Sequence, residues 1–325
     1  MTVRILAVTM GDPAGIGGAL TVQAWRALRA TGPTFVALDD PERLAAIDPS
    51  LPLRVVTSPE QAAPVFAEAL PVLPVRVAGD APGDAKAAAA IASIELAGRL
   101  AVERAVAGLV TNPVSKTTLR VGGFAYPGHT EFLGAITGAP APVMMLACPA
   151  LRVVPVTIHL SLREAIAGLN PAAIIGVART TAAALRQDFG IANPRLAVTG
   201  LNPHAGEQGV MGAEEGDIIA PAVAALQAEG VLASGPWSPD TMFTPAARAR
   251  YDVAICMVHD QALIPVKTLD MARAVNVTLG LPIIRTSPDH GSAFDIAGEG
   301  RGDPVSLLES IRLAARLAER RRDAV

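Results

Sequence analysis

The sequence predicts an α/β fold of two domains, on three observations. Short β-branched runs alternate with Ala-rich helical stretches, and those runs are apolar on both faces. The length of 325 residues, 51% hydrophobic and 18% charged, holds about two domains at ~150 residues each with ample material for a core. Strands that cannot face water on either side belong in a largely parallel sheet covered by helices. Such runs lie at 3–10, 35–40, 53–57, 107–113, 143–148, 152–160, 195–203 and 253–261. Between them, Asp84 to Ala107 and Pro171 to Phe189 read as helices, the second with Asn170 placed to cap its free amides. No period of 20–50 residues repeats, which excludes a solenoid.

Composition narrows the function classes. Lys and Arg number 27 against 30 Asp and Glu, a formal charge of −3, so the basic excess needed to neutralise a phosphate backbone is missing and nucleic acid is not an expected partner. The opening apolar run is about six residues, shorter than a secretory core, and reads as a first strand. Apolar runs elsewhere stop at Pro, Gly or charge before the ~18 residues a bilayer crossing needs. Only two cysteines occur, Cys148 and Cys256, both inside apolar runs that suit buried thiols. The expectation is a soluble protein of a reducing cytoplasm, without membrane contact.

In open α/β sheets ligands collect beyond the carboxyl ends of the strands, so polar residues just after a strand are the first to consider. Three of the five histidines stand there: His159, His204 and His259. Imidazole nitrogen suits borderline divalent cations, and three such ligands leave a coordination position for substrate. Spacing leaves two readings open, a shared cation or three separate strand-end groups. Asp240 and Asp260 lie near the same runs as further ligands or as carboxylates that orient a histidine. The segment Leu201 to Asp217 carries Gly206, Gly209 and Gly212, which allow either a tight turn or close approach to a ligand, and then Glu214 and Glu215, acids placed as in a helix's first turn.

Oxyanion recognition needs clustered donors. Lys116, His129, Thr130, Lys267, Asn276 and Arg285 all lie near apolar strand-like runs, Arg offering a planar fork and Lys a point charge. The usual nucleotide fingerprints are missing: after the first run the chain reads GDPAGIGGAL, with Leu20 where a dinucleotide fold has its third glycine, and no phosphate-loop signature occurs. A dinucleotide would need another device. The candidate is the Gly-dense run 285–304, RTSPDHGSAFDIAGEGRGDP, with Asp289, His290 and Asp295, which otherwise reads as a long turn.

Taken together, GDPAGIG (11–17), TNPVSK (111–116), FAYPGHTEFLG (124–134), TIHLSL (157–162), GLNPHAGEQG (200–209), DTMF (240–243), VHDQALIPVK (258–267) and VNVTLGLPIIRTSPDHGSAFDIAGEG (275–300) resemble the 4-hydroxythreonine-4-phosphate dehydrogenase family of pyridoxine biosynthesis. The order matches over nearly the whole chain; the departure is Gly18-Ala19, where the family usually reads Pro-Glu. The resemblance implies the two-domain α/β/α fold of the isocitrate and isopropylmalate dehydrogenases, with 1–130 and 286–325 as a cofactor-associated domain and 131–285 as a metal- and dimer-forming domain. It implies a divalent cation (Zn, Mg or Co) on His159, His204 and His259, in a homodimer whose active site takes one ligand from the partner subunit. It implies substrate contacts at His129, Thr130, Lys267, Asn276 and Arg285, and NAD or NADP at Gly291, Ser292, Ala293 and Asp295. The implied reaction is oxidation of 4-phosphooxy-L-threonine to 2-amino-3-oxo-4-phosphooxybutanoate, which decarboxylates to 3-amino-2-oxopropyl phosphate. A paralogous dehydrogenase, acting on another 4-phosphorylated hydroxy acid or a dihydrodiol carboxylate, is the alternative.

Overall fold

A computed structural model describes residues 4–75, 85–126 and 128–323, except for the side chains of residues 129, 322 and 323. The chain forms two compact units, Met1–Ala141 with Leu281–Arg322, and Pro142–Gly280. Its strands, in chain order, are β1 Leu6–Thr9, β2 Phe35–Asp39, β3 Leu53–Val55, β4 Leu70–Pro74, β5 Gly108–Val110, β6 Val143–Cys148, β7 Leu151–Pro155, β8 Arg195–Thr199, β9 Leu232–Trp237, β10 Val253–Cys256, β11 Val275–Leu279 and β12 Arg285–Pro288. The α/β class expected from the alternating runs is the one observed.

In the first unit the order is β3-β4-β2-β1-β5-β12, and every pair is parallel. All residues of β1, β2 and β5 are buried, as two-sided helix cover requires. Helix Ala85–Val102 lays Ile94, Ala97 and Leu100 into a core with Ala7, Val36, Leu38 and Leu109. The fully buried Trp25 satisfies its indole by donating to Phe66 O at 2.8 Å. The expected helix from Asp84 to Ala107 is shorter than its Ala-rich composition suggests: Arg104 turns left-handed at φ 60°, while Asp84 lies outside the described residues.

The second unit runs β11-β6-β7-β10-β8-β9. Here the sheet is mixed. Strands β6 and β7 pair antiparallel with Cys148 opposite Leu151, a two-residue hairpin, and β11 is antiparallel to β6. The sequence predicts a largely parallel sheet, but the runs 143–148 and 152–160 lie only three residues apart, too few for a crossover helix, and so they pair as a hairpin. Beyond it, β7, β10, β8 and β9 are parallel. Helix Pro171–Gln187 starts where expected, with Asn170 Oδ1 accepting from the Ala173 amide at 3.0 Å. Strands β4 and β9 were not legible as strands, since both carry Pro and β9 also Gly, residues that lower strand propensity. Cys148 and Cys256 are buried and unbridged, and burial pushes the Cys256 thiol well above its ordinary range. No helix among the described residues is long and apolar enough to cross a membrane.

Candidate active site

The centre of the second unit orders its histidines. Strands β7, β10 and β8 are consecutive neighbours and parallel, so their carboxyl ends share one edge, and each is followed within a few residues by one histidine: His159, His259 and His204 respectively. His159 and His204 have positive φ, 51° and 52°. A non-glycine residue held there signals a local constraint, and such constraints gather at functional sites. His259 opens helix His259–Asp270, and its Nδ1 lies 2.7 Å from Asp260 Oδ1, a contact that orients the ring.

The rings of His159 and His259 are 6.2 Å apart, centroid to centroid, and both line a cavity of about 180 Å³ with Thr157, Leu160, Leu162 and Asp260. His204 is exposed, close enough to Asp240 to contribute to its lowered pKa, whose first cause is the hydrogen bond donated by Ser238. Among the described residues no group of three His, Cys, Asp or Glu side chains stands close enough to hold one ion. A single chain therefore presents two of the expected imidazoles together and the third apart. Three nitrogen donors at one sheet edge nevertheless match the chemistry of a divalent cation, and two of them already face a common cavity.

The same edge is tied together from behind. Thr157 Oγ1 donates to Met257 O at 2.8 Å, and the Met257 amide donates to Gln261 Oε1 at 3.1 Å. Glu215 does not act as an ordinary first-turn acid. Its buried carboxylate reaches back to the loop before His204 and accepts from the Leu201 and Asn202 amides.

In the first unit the strand-end side chains are buried. Arg285, the first residue of β12, is 5% exposed and donates from Nη2 and Nε to Thr111 Oγ1 at 2.7 and 3.2 Å. Burial brings its pKa down to about 10 against the opposing pull of Glu131, which leaves the guanidinium charged at neutral pH. Thr130 is half-buried in the first turn of helix His129–Thr137, and the side chain of His129 lies outside the described residues. Lys267 and Asn276, both half-buried, belong to the second unit.

The Gly-dense run after β12 packs on the loop after β1. Ser292 O accepts from the Ile16 amide at 3.1 Å, and a Cβ at Gly15 would stand 2.7 Å from that same oxygen, so only glycine fits. Ala293 is left-handed (φ 46°), Gly291 and Asp295 are exposed, and Ser292 Oγ and His290 Nε2 are buried with no partner among the described residues. Orphaned buried polar atoms on a loop of small residues suit a ligand that brings its own hydrogen-bonding groups, as a dinucleotide does. Sequence reasoning passed over Asp12, whose carboxylate accepts from Ser115 N at 3.1 Å and Thr118 Oγ1 at 2.6 Å and so joins the loops after β1 and β5. It also passed over Thr111 and Gln261, and only the position of all three beside a strand end could have marked them.

Residues 33–314 match the model of the family described as pyridoxal phosphate biosynthetic protein PdxA. The chain belongs to the PdxA family. A 4-hydroxythreonine-4-phosphate dehydrogenase of Caulobacter vibrioides is 55% identical, with 99% of each chain covered. The crystal structure of the Klebsiella pneumoniae 4-hydroxythreonine-4-phosphate dehydrogenase is similar at TM-score 0.84 and 40% identity, over 97% of this chain and 98% of that one. A terephthalate 1,2-cis-dihydrodiol dehydrogenase from Burkholderia xenovorans is similar at TM-score 0.65 and 31% identity, over 96% and 98%. PdxA membership places the chain among oxidoreductases of pyridoxal phosphate biosynthesis. The departure at Gly18-Ala19 lies before residue 33, outside the matched span.

Proposed function

We propose that this PdxA-family chain is a 4-hydroxythreonine-4-phosphate dehydrogenase, oxidising the C3 alcohol of 4-phosphooxy-L-threonine with NAD or NADP in the cytoplasm. The product, 2-amino-3-oxo-4-phosphooxybutanoate, is a β-keto acid and decarboxylates to 3-amino-2-oxopropyl phosphate. The observation that carries the reading is the arrangement of β7, β10 and β8, which sets His159, His259 and His204 along one edge. These three would hold a divalent cation (Zn, Mg or Co), one of the three ligands of each site coming from a second copy of the chain. When bound, the cation supplies Lewis acidity for the developing negative charge on the substrate oxygen, and the nicotinamide supplies the hydride acceptor.

The chain's own residues orient the reactants. Arg285, kept charged and locked by Thr111, presents a planar donor fork to the phosphorylated substrate, with His129, Thr130, Lys267 and Asn276 as its further donors. Gly291, Ser292, Ala293 and Asp295 hold the dinucleotide. The first unit is thus the cofactor-associated one and the second the metal- and dimer-forming one. Homodimer formation is supported by Leu160, Leu162, Ile166, Ile264 and Met271, large apolar side chains 44–64% exposed in the unit that carries the histidines.

The similarity to a dihydrodiol dehydrogenase favours one second reading, oxidation of a dihydrodiol carboxylate or another 4-phosphorylated hydroxy acid. The test is NADH or NADPH absorbance with 4-phosphooxy-L-threonine, erythronate 4-phosphate and a terephthalate dihydrodiol, with and without chelator. Chelator-sensitive turnover of the first substrate is expected. Turnover of only another substrate would move the assignment to the second reading, and turnover unaffected by chelator would remove the cation from it.

A further inference from the structure

His204 begins a turn whose geometry the sequence alone does not stabilise. From His204 to Gln208 five successive residues have positive φ, 52°, 52°, 74°, 42° and 58°, and only Gly206 is a glycine. Left-handed backbone is strained for a non-glycine residue, so a run of this kind persists only where the surroundings over-determine it.

The constraint comes from two side chains acting on the peptides just before the turn. Glu215, 6% exposed, accepts from Leu201 N and Asn202 N, both at 2.7 Å, through Oε1, and from Asn202 Nδ2 at 3.0 Å through Oε2. Gln261 works with the opposite polarity: its Nε2 donates to Gly200 O at 3.1 Å and Leu201 O at 3.3 Å. Its Oε1 meanwhile accepts from Met257 N at 3.1 Å and Val258 N at 3.3 Å, the residues that lead into His259. Both the amide and the carbonyl of Leu201 are therefore held, and one Gln261 side chain bridges the segment bearing His204 to the segment bearing His259. The turn is shaped around the carboxylate as well, since a Cβ at Gly206 would stand 2.5 Å from Glu215 Oε2. A buried carboxylate is costly, and three N–H donors offset that cost here, with no cationic partner among the described residues.

We propose that Glu215 and Gln261 are positioning residues for the cation site, fixing the Gly200–Asn202 backbone so that His204 and the helix beginning at His259 hold a set relation. The proposal rests on the cation reading above, and its test separates the two. Glu215→Gln and Gln261→Glu keep shape while reversing one hydrogen-bonding polarity each. Full-length wild type and variants, stripped with chelator, are titrated with Co²⁺ alone while the visible cobalt spectrum and amide hydrogen exchange are followed.

The expected result is Co²⁺ affinity lower by roughly 10–100-fold with an altered visible band in both variants. Faster exchange at Leu201 and Asn202 in Glu215→Gln is expected with it, together with wild-type melting behaviour. Wild-type affinity and spectrum in both variants would overturn the proposal. If wild type itself binds no Co²⁺, the cation reading fails, and exchange then decides alone: faster exchange in Glu215→Gln supports the backbone clamp and unchanged exchange overturns it.

Discussion

Both units place polar side chains at the ends of parallel strands, and they treat them differently. In the first unit the strand-end groups are buried and bind one another: Asp12 spans two loops, Arg285 sits on Thr111, and Asp39 pairs with Arg43 at 2.8 Å. In the second unit His159 and His204 are exposed and His259 is half-buried, while the buried Glu215 and half-buried Gln261 lie one step behind, on the backbone that carries the histidines. The difference is the one that the proposed roles would require. An oxyanion-binding guanidinium gains from desolvation, which strengthens its charge-assisted hydrogen bonds, whereas a cation ligand completed by a second copy must remain open until that copy arrives.

The largest expected break falls on the exposed side. His204→Ala and His259→Ala should each lower kcat by about 10³-fold or more, because a cation's contribution of several kcal/mol is lost. Their melting temperatures should stay near wild type, since neither ring fills the core; a large drop in melting temperature with retained turnover would reverse the contrast between the units. On the buried side, Thr111→Val should raise KM and also cost stability, about 1–3 kcal/mol by denaturant titration, because the buried Arg285 then loses the hydroxyl that accepts from its Nη2 and Nε. Thr111→Ser should restore both.

A smaller effect separates the units by pH. Burial pushes the Asp39 carboxyl up to about 6 against the lowering pull of Arg43 and of the Asp40 amide. The folded chain then binds this proton more tightly than the unfolded chain. The contribution to stability is fully present below the ordinary value of 3.8 and is lost as pH rises through about 6. Asp39→Asn should accordingly gain stability relative to wild type across that interval in urea titrations, and a gap that does not change with pH would contradict the assignment. Smallest is Asn170→Ala, which removes a helix cap remote in sequence from the candidate residues: about 1 kcal/mol of stability and no change in kcat.

Much of the framework was legible in the sequence because apolar runs with β-branched residues have few places to go. The eight such runs each contain a strand, and the Asn170 cap follows from its side chain alone. Strands β4 and β9 escaped because their Pro and Gly residues mask a burial that only neighbours create. The candidate ligands stood out for a chemical reason, as histidine is scarce here and clusters after strands. Glu215 and Gln261 were hidden for the converse reason: a helix-start acid and a helical glutamine carry no signal until the Leu201 peptide is seen between them. The left-handed turn was equally hidden, since four of its five residues are not glycine.

Mixing inactive variants tests the shared cation site most directly. His159→Ala, His204→Ala and His259→Ala chains are combined in pairs, dissociated and reassociated, and assayed with substrate and NAD. With one ligand supplied by the partner subunit, two of the three pairings should regain about a quarter of the wild-type rate, because about half the dimers are mixed and each mixed dimer rebuilds one complete site. Recovery in none of the pairings, with mixed dimers shown to form, would contradict a site completed by a second copy.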